Sequence, residues 1–262
     1  PDTMPDDTAV ILYTSGTTGR PKGGELAHFN LFYNAEYSSL HLNPHPADPV
    51  ALAVLPLFHS FGQTVFQNGM LRIGGTIVLL PRFEPLAAFD LMQKHKVTYF
   101  GGVPTMYFAL LHHPEAGKYD LSSLTHCCSG GAAMPVEIMR AFDEKHRVDI
   151  LEGYGLSETS PVASFNPPGG KKVCSIGLPI AGVEFKLIDD AGNTITEPMV
   201  PGEICIKGWN VMKGYYKRPE ATAEVLNAGW FKTGDVAHRD ADGYYYIVDR
   251  KKDMIIRGGF NV

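Results

Sequence analysis

Thr125-His126-Cys127-Cys128-Ser129-Gly130-Gly131-Ala132-Ala133-Met134 and, one helix length later, Asp149-Ile150-Leu151-Glu152-Gly153-Tyr154-Gly155-Leu156-Ser157-Glu158-Thr159 are the stretch on which the fold turns. Each half is a short run, Thr125–Cys128 or Asp149–Glu152, that breaks into a small-residue loop, Ser129–Met134 or Gly153–Thr159. The intervening Pro135–Lys145 is long enough for a crossover helix. Strand, loop, helix, strand in that order predicts a parallel sheet covered by helices.

The same alternation extends toward the N-terminus. Candidate strands at Ala9–Tyr13, Ala51–Leu55, Thr76–Leu80 and Val97–Phe100 are interleaved with helical stretches at Leu26–Ser38, Gly62–Leu71, Pro85–Lys94 and Thr105–Leu111. In such sheets ligands collect beyond the carboxyl ends of the strands. Thr14–Lys22 is a third loop of this kind, so three loops on one rim predict one site. After the Pro/Gly-rich joint Asn166–Lys172 the pattern changes to alternating strands with tight turns at Asp189–Asn193 and Asp240–Gly243. Val183–Ile188, Gly202–Lys207, Trp230–Ala237 and Tyr244–Val248 predict a small antiparallel barrel or sheet. The expected fold is therefore α/β, a layered parallel sheet with crossover helices (1–168), then a small antiparallel β-barrel-like subdomain (169–249) and a terminal segment (250–262).

Composition narrows the function. A net charge of -5 with scattered Lys and Arg leaves no basic stripe to follow a nucleic-acid backbone, so no nucleic acid is expected as a partner. No apolar run reaches the roughly 18 residues of a transmembrane segment, and the first residues lack the regions of a signal peptide, which predicts a cytoplasmic location. Cys127, Cys128, Cys174 and Cys205 have no C-x-x-C spacing and read as buried apolar fillers in a reducing compartment. The ten histidines form no zinc pattern, and no G-x-S-x-G nucleophile elbow occurs.

Tyr13-Thr14-Ser15-Gly16-Thr17-Thr18-Gly19-Arg20-Pro21-Lys22-Gly23 combines exposed amides, four hydroxyls and a lysine, which suits it to wrap a polyphosphate; on composition alone it is equally a polar turn. A Walker A loop needs four residues between its glycines and then Lys-Ser/Thr. Gly16 and Gly19 are separated by two, and Lys22 precedes Gly23, which argues against a P-loop NTPase. The string as a whole resembles the phosphate-binding signature of the adenylate-forming superfamily: acyl-CoA synthetases, firefly-type luciferases and the adenylation domains of peptide synthetases.

Further signatures of that superfamily follow in order. Ser129–Ala133, whose lack of bulk serves a ligand's flat ring or close packing alike, looks like the segment that flanks adenine and the acyl carbonyl, with Gly131 and Ala132 on the nucleotide and Gly130 and Gly131 on the acyl group. Glu152–Thr159 is similar to the second strong signature. The resemblance implies that Gly153 and Tyr154 border adenine, that Ser157 donates to the α-phosphate and that Glu158 holds Mg²⁺, although Glu158 alone also suits a helix N-terminus. The family usually has threonine where Ser157 stands, and the hydroxyl is kept. In Trp230–Asp235, Asp235 would accept the ribose hydroxyls. Val248–Asp253 looks like the family hinge, with Arg250 on ribose and Lys252 at the pivot; as bare sequence, Arg250–Lys252 is a charge run. Leu57–Gly62 resembles the acyl-pocket motif, with His59 and Phe61 lining the pocket, although a lone histidine is more often structural.

The resemblance implies an ATP-dependent acid:CoA ligase, closest to long- or medium-chain fatty acyl-CoA ligases. Its substrates would be a carboxylic acid, ATP with Mg²⁺, and CoA; its products would be an acyl-adenylate and then the thioester. Thr14, Ser15, Gly16, Thr17, Thr18, Gly19 and Lys22 would hold the phosphates, and Lys22, Ser157 and Glu158 would act at the reacting centre. His59 lacks the acidic anchor that an amino group needs, which favours a fatty acid over an amino acid. The chain corresponds to about half of such a family member, so these 262 residues alone are expected to catalyse poorly and to expose apolar surface.

Overall fold

In the computed structural model, residues 2–14, 21–41, 48–250, 256–257 and 260–261 are described. The chain opens with β1 (Thr8–Thr14) and β2 (Lys22–Ala27), antiparallel, with Thr14 opposite Lys22. This corrects two expectations. Ala9–Tyr13 is a strand but stands outside the parallel series, and the predicted helix at Leu26 begins later, as α1 (His28–His41). Gly23 and Gly24 are poor strand formers, and they hid β2. Gly23 is favoured where it stands because a Cβ there would sit 2.6 Å from Ile11.

The expected βα units follow. β3 (Val50–Ala53) leads through a π-helical segment, Phe61–Asn68, into α2 (Gly69–Arg72). Then come β4 (Thr76–Leu79), α3 (Pro85–His95), β5 (Tyr99–Gly102), α4 (Pro104–His112), β6 (His126–Ser129), α5 (Val136–His146) and β7 (Ile150–Gly155). These strands lie parallel in the order β4-β3-β5-β6-β7. Two antiparallel strands, β8 (Val162–Phe165) and β9 (Leu178–Pro179), extend the sheet beyond β7. The side chains of Phe66, Phe89, Tyr99, Phe100, Tyr107 and Phe142 are fully buried, and Phe66 stacks on Tyr99 at 5.0 Å. Each such side chain contributes about 1.5–3 kcal/mol of transfer free energy.

The second half is antiparallel, as expected. β10 (Val183–Ile188), β11 (Thr194–Ile195), β12 (Gly202–Gly208), β13 (Gly214–Tyr215), α6 (Pro219–Val225), β14 (Leu226–Asn227), β15 (Trp230–Arg239) and β16 (Tyr245–Arg250) follow. The sheet order is β11-β10-β12-β15-β14, with β16 also on β15, while β13 leaves it to pair with β2. One buried cluster runs from the parallel sheet into this sheet through Val183, Leu187, Ile204, Ile206 and Tyr245. Cys127, Cys128 and Cys205 are buried thiols, but Cys174 is exposed, against expectation, because it falls in a turn just after the joint rather than on a core strand. No helix among the described residues is long and apolar enough to cross a membrane.

Candidate functional site

Two of the three predicted loops, Ser129–Met134 and Gly153–Thr159, leave the carboxyl ends of the neighbouring parallel strands β6 and β7. The third is carried by a different sheet. The β1–β2 hairpin brings Thr14 to the same place, where its Oγ1 donates to Glu158 Oε1 at 3.2 Å. Ser15, Gly16, Thr17, Thr18 and Gly19 lie outside the described residues, as does Lys252.

Glu158 is buried, on a short 3₁₀ turn, Ser157–Thr159. Burial raises its pKa; hydrogen bonds from the hydroxyls of Tyr215 (3.0 Å) and Thr14, and the charge of Lys22, oppose that rise. Lys22 Nζ lies 5.2 Å from the centre of the Tyr215 ring. A lysine, two hydroxyls and one carboxylate thus converge where the hairpin meets β7. Among the described residues no group of three or more His, Cys, Asp or Glu could cage a metal. A single carboxylate amid hydroxyl oxygens fits Mg²⁺, a hard cation that keeps several waters and takes much of its coordination from substrate phosphates.

Tyr154, at the end of β7, donates its hydroxyl to Asp235 Oδ2 at 2.6 Å. Asp235 is 3% exposed, and in the β15–β16 ladder its register partner is Arg250, whose side chain lies outside the described residues. The structure therefore unites Tyr154 with Asp235, and Glu158 with Thr14 and Lys22. Ser157 Oγ stands 3.5 Å from the Oγ of Ser60, which is 1% exposed, tying the Gly153–Thr159 loop to the Leu57–Gly62 segment.

That segment also supplies the candidate pocket wall. A Cβ on Gly130 would lie 3.3 Å from the Phe61 ring and 3.5 Å from the Gly153 carbonyl, so Gly130, Gly153 and Phe61 converge. Gly131 takes a left-handed φ of +80° beside Val103, and Ala132 follows half-buried. His59 is exposed, and its Nδ1 accepts the Phe61 N–H at 3.1 Å, which turns the ring back on its own turn.

Two residues in the site had no role in the sequence reading. Tyr215 is 57 positions from Glu158, on a two-residue strand too short to show alternation. Glu152, 7% exposed, accepts the Met134 N–H at 2.9 Å through Oε1, while Oε2 has no hydrogen-bond partner among the described residues. Burial raises its pKa to about 7. It is the first residue of the Glu152–Thr159 motif, and the signal for it was a carboxylate directly after the apolar pair Ile150-Leu151, where the strand meets the loop.

Comparison with known proteins bears on this geometry. The family described as AMP-binding enzyme matches residues 1–216. A long-chain-fatty-acid–CoA ligase of Bacillus subtilis (strain 168) is 44% identical over 258 residues, 98% of this chain and 46% of the relative. A feruloyl-CoA synthase of an Amycolatopsis species is 41% identical over 259 residues, 98% of this chain and 52% of the relative. Among solved structures, ATP-bound MatB from Rhodopseudomonas palustris superposes with a TM-score of 0.88 at 36% identity, covering 100% of this chain and 52% of that one. The o-succinylbenzoate CoA synthetase MenE of Bacillus subtilis, in complex with AMP, gives 0.86 at 34%, covering 99% and 53%. The chain thus spans about half the length of the curated relatives it matches.

Proposed function

We propose that this chain, which belongs to the AMP-binding enzyme family by its match over residues 1–216, is the nucleotide-handling part of a ligase that activates a carboxylic acid with ATP and passes the acyl group to CoA. The observation that carries this reading is the buried Glu158 carboxylate, bonded by Thr14 at the mouth of the hairpin and faced by Lys22. The substrate carboxylate attacks the α-phosphate; an acyl-adenylate forms and pyrophosphate leaves. The CoA thiol then attacks the acyl carbon and AMP departs. The first step needs two anions held in line, so positioned donors count for more than a protein nucleophile.

Lys22 and the hydroxyl of Thr14 hold phosphate oxygens, and Ser157 donates to the α-phosphate. Tyr154 borders the base and Asp235 accepts the ribose hydroxyls, with Arg250 beside it. Mg²⁺, when held by Glu158, supplies charge neutralisation on the phosphates. Gly131 and Ala132 border the nucleotide, and Gly130, Gly131, Phe61 and His59 border the acyl group. With no acidic side chain at His59 to pair an amine, a fatty acid is the preferred substrate, which the long-chain ligase relatives support; the feruloyl-CoA synthase relative keeps an aryl acid as the alternative. Buried free thiols and a CoA cosubstrate suit a cytoplasmic location. Because the chain corresponds to about half of each relative, the 262 residues by themselves are expected to bind nucleotide better than they turn it over.

The test is pyrophosphate release by the full-length protein with ATP and a panel of fatty, aryl and amino acids, with and without CoA. Acid-dependent pyrophosphate, largest with a fatty acid, is the expected result. Orthophosphate release indifferent to the acid would overturn the assignment.

A further inference from the structure

Glu158 is held from two directions. Thr14 approaches from the end of β1, and Tyr215 approaches from β13, a strand contributed by the second half of the chain that pairs with β2, opposite Gly24. The Tyr215 ring is 8% exposed and packs in a small cluster with Leu26, Met212 and Phe231. Packing alone would be served by phenylalanine, but the ring's hydroxyl reaches past the cluster to Glu158 Oε1 at 3.0 Å, and its face carries Lys22 Nζ at 5.2 Å.

The backbone around Tyr215 is fixed on each side. Its N–H donates to Thr222 Oγ1 at 2.9 Å, and the Met212 N–H donates to the Glu158 carbonyl at 2.9 Å. Gly24 lies in this packing, since a Cβ there would stand in ordinary contact with Met212 Sδ at 3.4 Å and Glu158 Cγ at 3.9 Å.

We infer that Tyr215 is a positioning residue for the metal–phosphate end of the site: its hydroxyl fixes the rotamer of Glu158, leaving the other carboxylate oxygen for the cation, while its ring fixes the Lys22 ammonium beside it. This rests on the proposed role of Glu158. A single aromatic side chain therefore sets the spacing between the Glu158 carboxylate and the Lys22 ammonium, and so the place at which a metal-bound polyphosphate is recognised. AMP, with no β- and γ-phosphates, should be indifferent to it.

The experiment measures binding of a fluorescent ATP analogue and of AMP to the full-length protein, each with Mg²⁺ and with EDTA. The proteins are wild type, Tyr215→Phe, Glu158→Gln, the double variant, and Phe231→Leu as a packing control. Tyr215→Phe should weaken Mg²⁺-dependent ATP binding about tenfold, the loss of one hydrogen bond to a charged group. It should leave AMP binding unchanged and add nothing in the Glu158→Gln background. Phe231→Leu should lower the melting temperature without changing the Mg²⁺ effect. Equal losses for ATP and AMP, a Tyr215→Phe effect that persists without Glu158, or the same effect from Phe231→Leu would each overturn the inference. Wild-type ATP binding without Mg²⁺ dependence would instead remove the role of Glu158 itself, a distinguishable failure.

Discussion

Glu152 carries the clearest pH signature of any single residue. Its carboxyl is buried with one oxygen bonded to the Met134 N–H and the other unpartnered among the described residues, and its folded pKa is raised to about 7 from an ordinary 4.5. The folded protein therefore holds a proton that the unfolded chain releases above about pH 4.5. The stability it gives is complete below that pH and is lost as pH rises through about 7. Glu152→Gln keeps an acceptor for Met134 and removes the titration. Urea unfolding from pH 5 to 8 should show the variant gaining on wild type with rising pH, by about 2–4 kcal/mol at the top; parallel pH profiles would refute the assignment. Motif reading reached Tyr154, Glu158 and Asp235 because each sits in a local string. It could not reach Tyr215, or the unpaired oxygen of Glu152, because both are defined by partners distant in sequence.

At the scale of elements, α1 is inverted. Its inner face is polar, with Asn34 fully buried and Asn30, Ser38 and Ser39 nearly so, while Phe29, Phe32 and Tyr33 are 37%, 54% and 42% exposed. The asparagines are inside because they satisfy bent backbone. Asn34 Nδ2 donates to the Val162 carbonyl at 2.9 Å, and its Oδ1 accepts the Val162 N–H at 3.2 Å, at the strand that follows the Glu158 turn. Hydrophobic periodicity therefore found the helix but does not mark its inner face, and it missed β2 altogether; the parallel strands, apolar on both faces, were legible to within a few residues. Asn34→Ala should cost about 2–4 kcal/mol by orphaning buried backbone groups, whereas Phe32→Ser should change stability by less than about 0.5 kcal/mol. Thermal or urea midpoints in the opposite order would show that the aromatic face is the buried one. A second element is set by Gly155, where an added Cβ would lie 1.7 Å from the Pro161 carbonyl oxygen. Gly155→Ala should separate β7 from β8 and destabilise by about 3 kcal/mol.

Across the whole molecule, the two halves meet at Asn166–Lys172, which the sequence marked only as a Pro/Gly-rich joint. Adjacent lysines there face opposite ways. Lys171 bonds Asp143 of α5 and, at 2.6 Å, Asp149 ahead of β7; Lys172 reaches Asp240 and Asp242 of the β15–β16 turn, each at 2.6 Å. Tyr244 closes the second clasp, its hydroxyl on the Gly170 carbonyl at 2.5 Å and its ring under Lys172 Nζ at 4.5 Å. Composition exposed the break in pattern but not this stitching, because the aspartates come from three separate segments. The two clasps differ in solvent access, the Lys171 side chain being 17% exposed and Lys172 32%. Half-shielded charges are worth less than buried ones, so Lys171→Met should cost about 1–3 kcal/mol, chiefly from the uncompensated Asp143. At roughly 1 M salt, where the screening length falls to about 3 Å, the Lys172 clasp should weaken first. Limited proteolysis should then show faster cleavage in the joint for Lys171→Met than for wild type, with high salt adding to that difference. A cleavage rate unmoved by either change would assign the hold between the halves to the continuous apolar cluster and the Gly177–Tyr245 bridge, leaving the lysines as solvated surface.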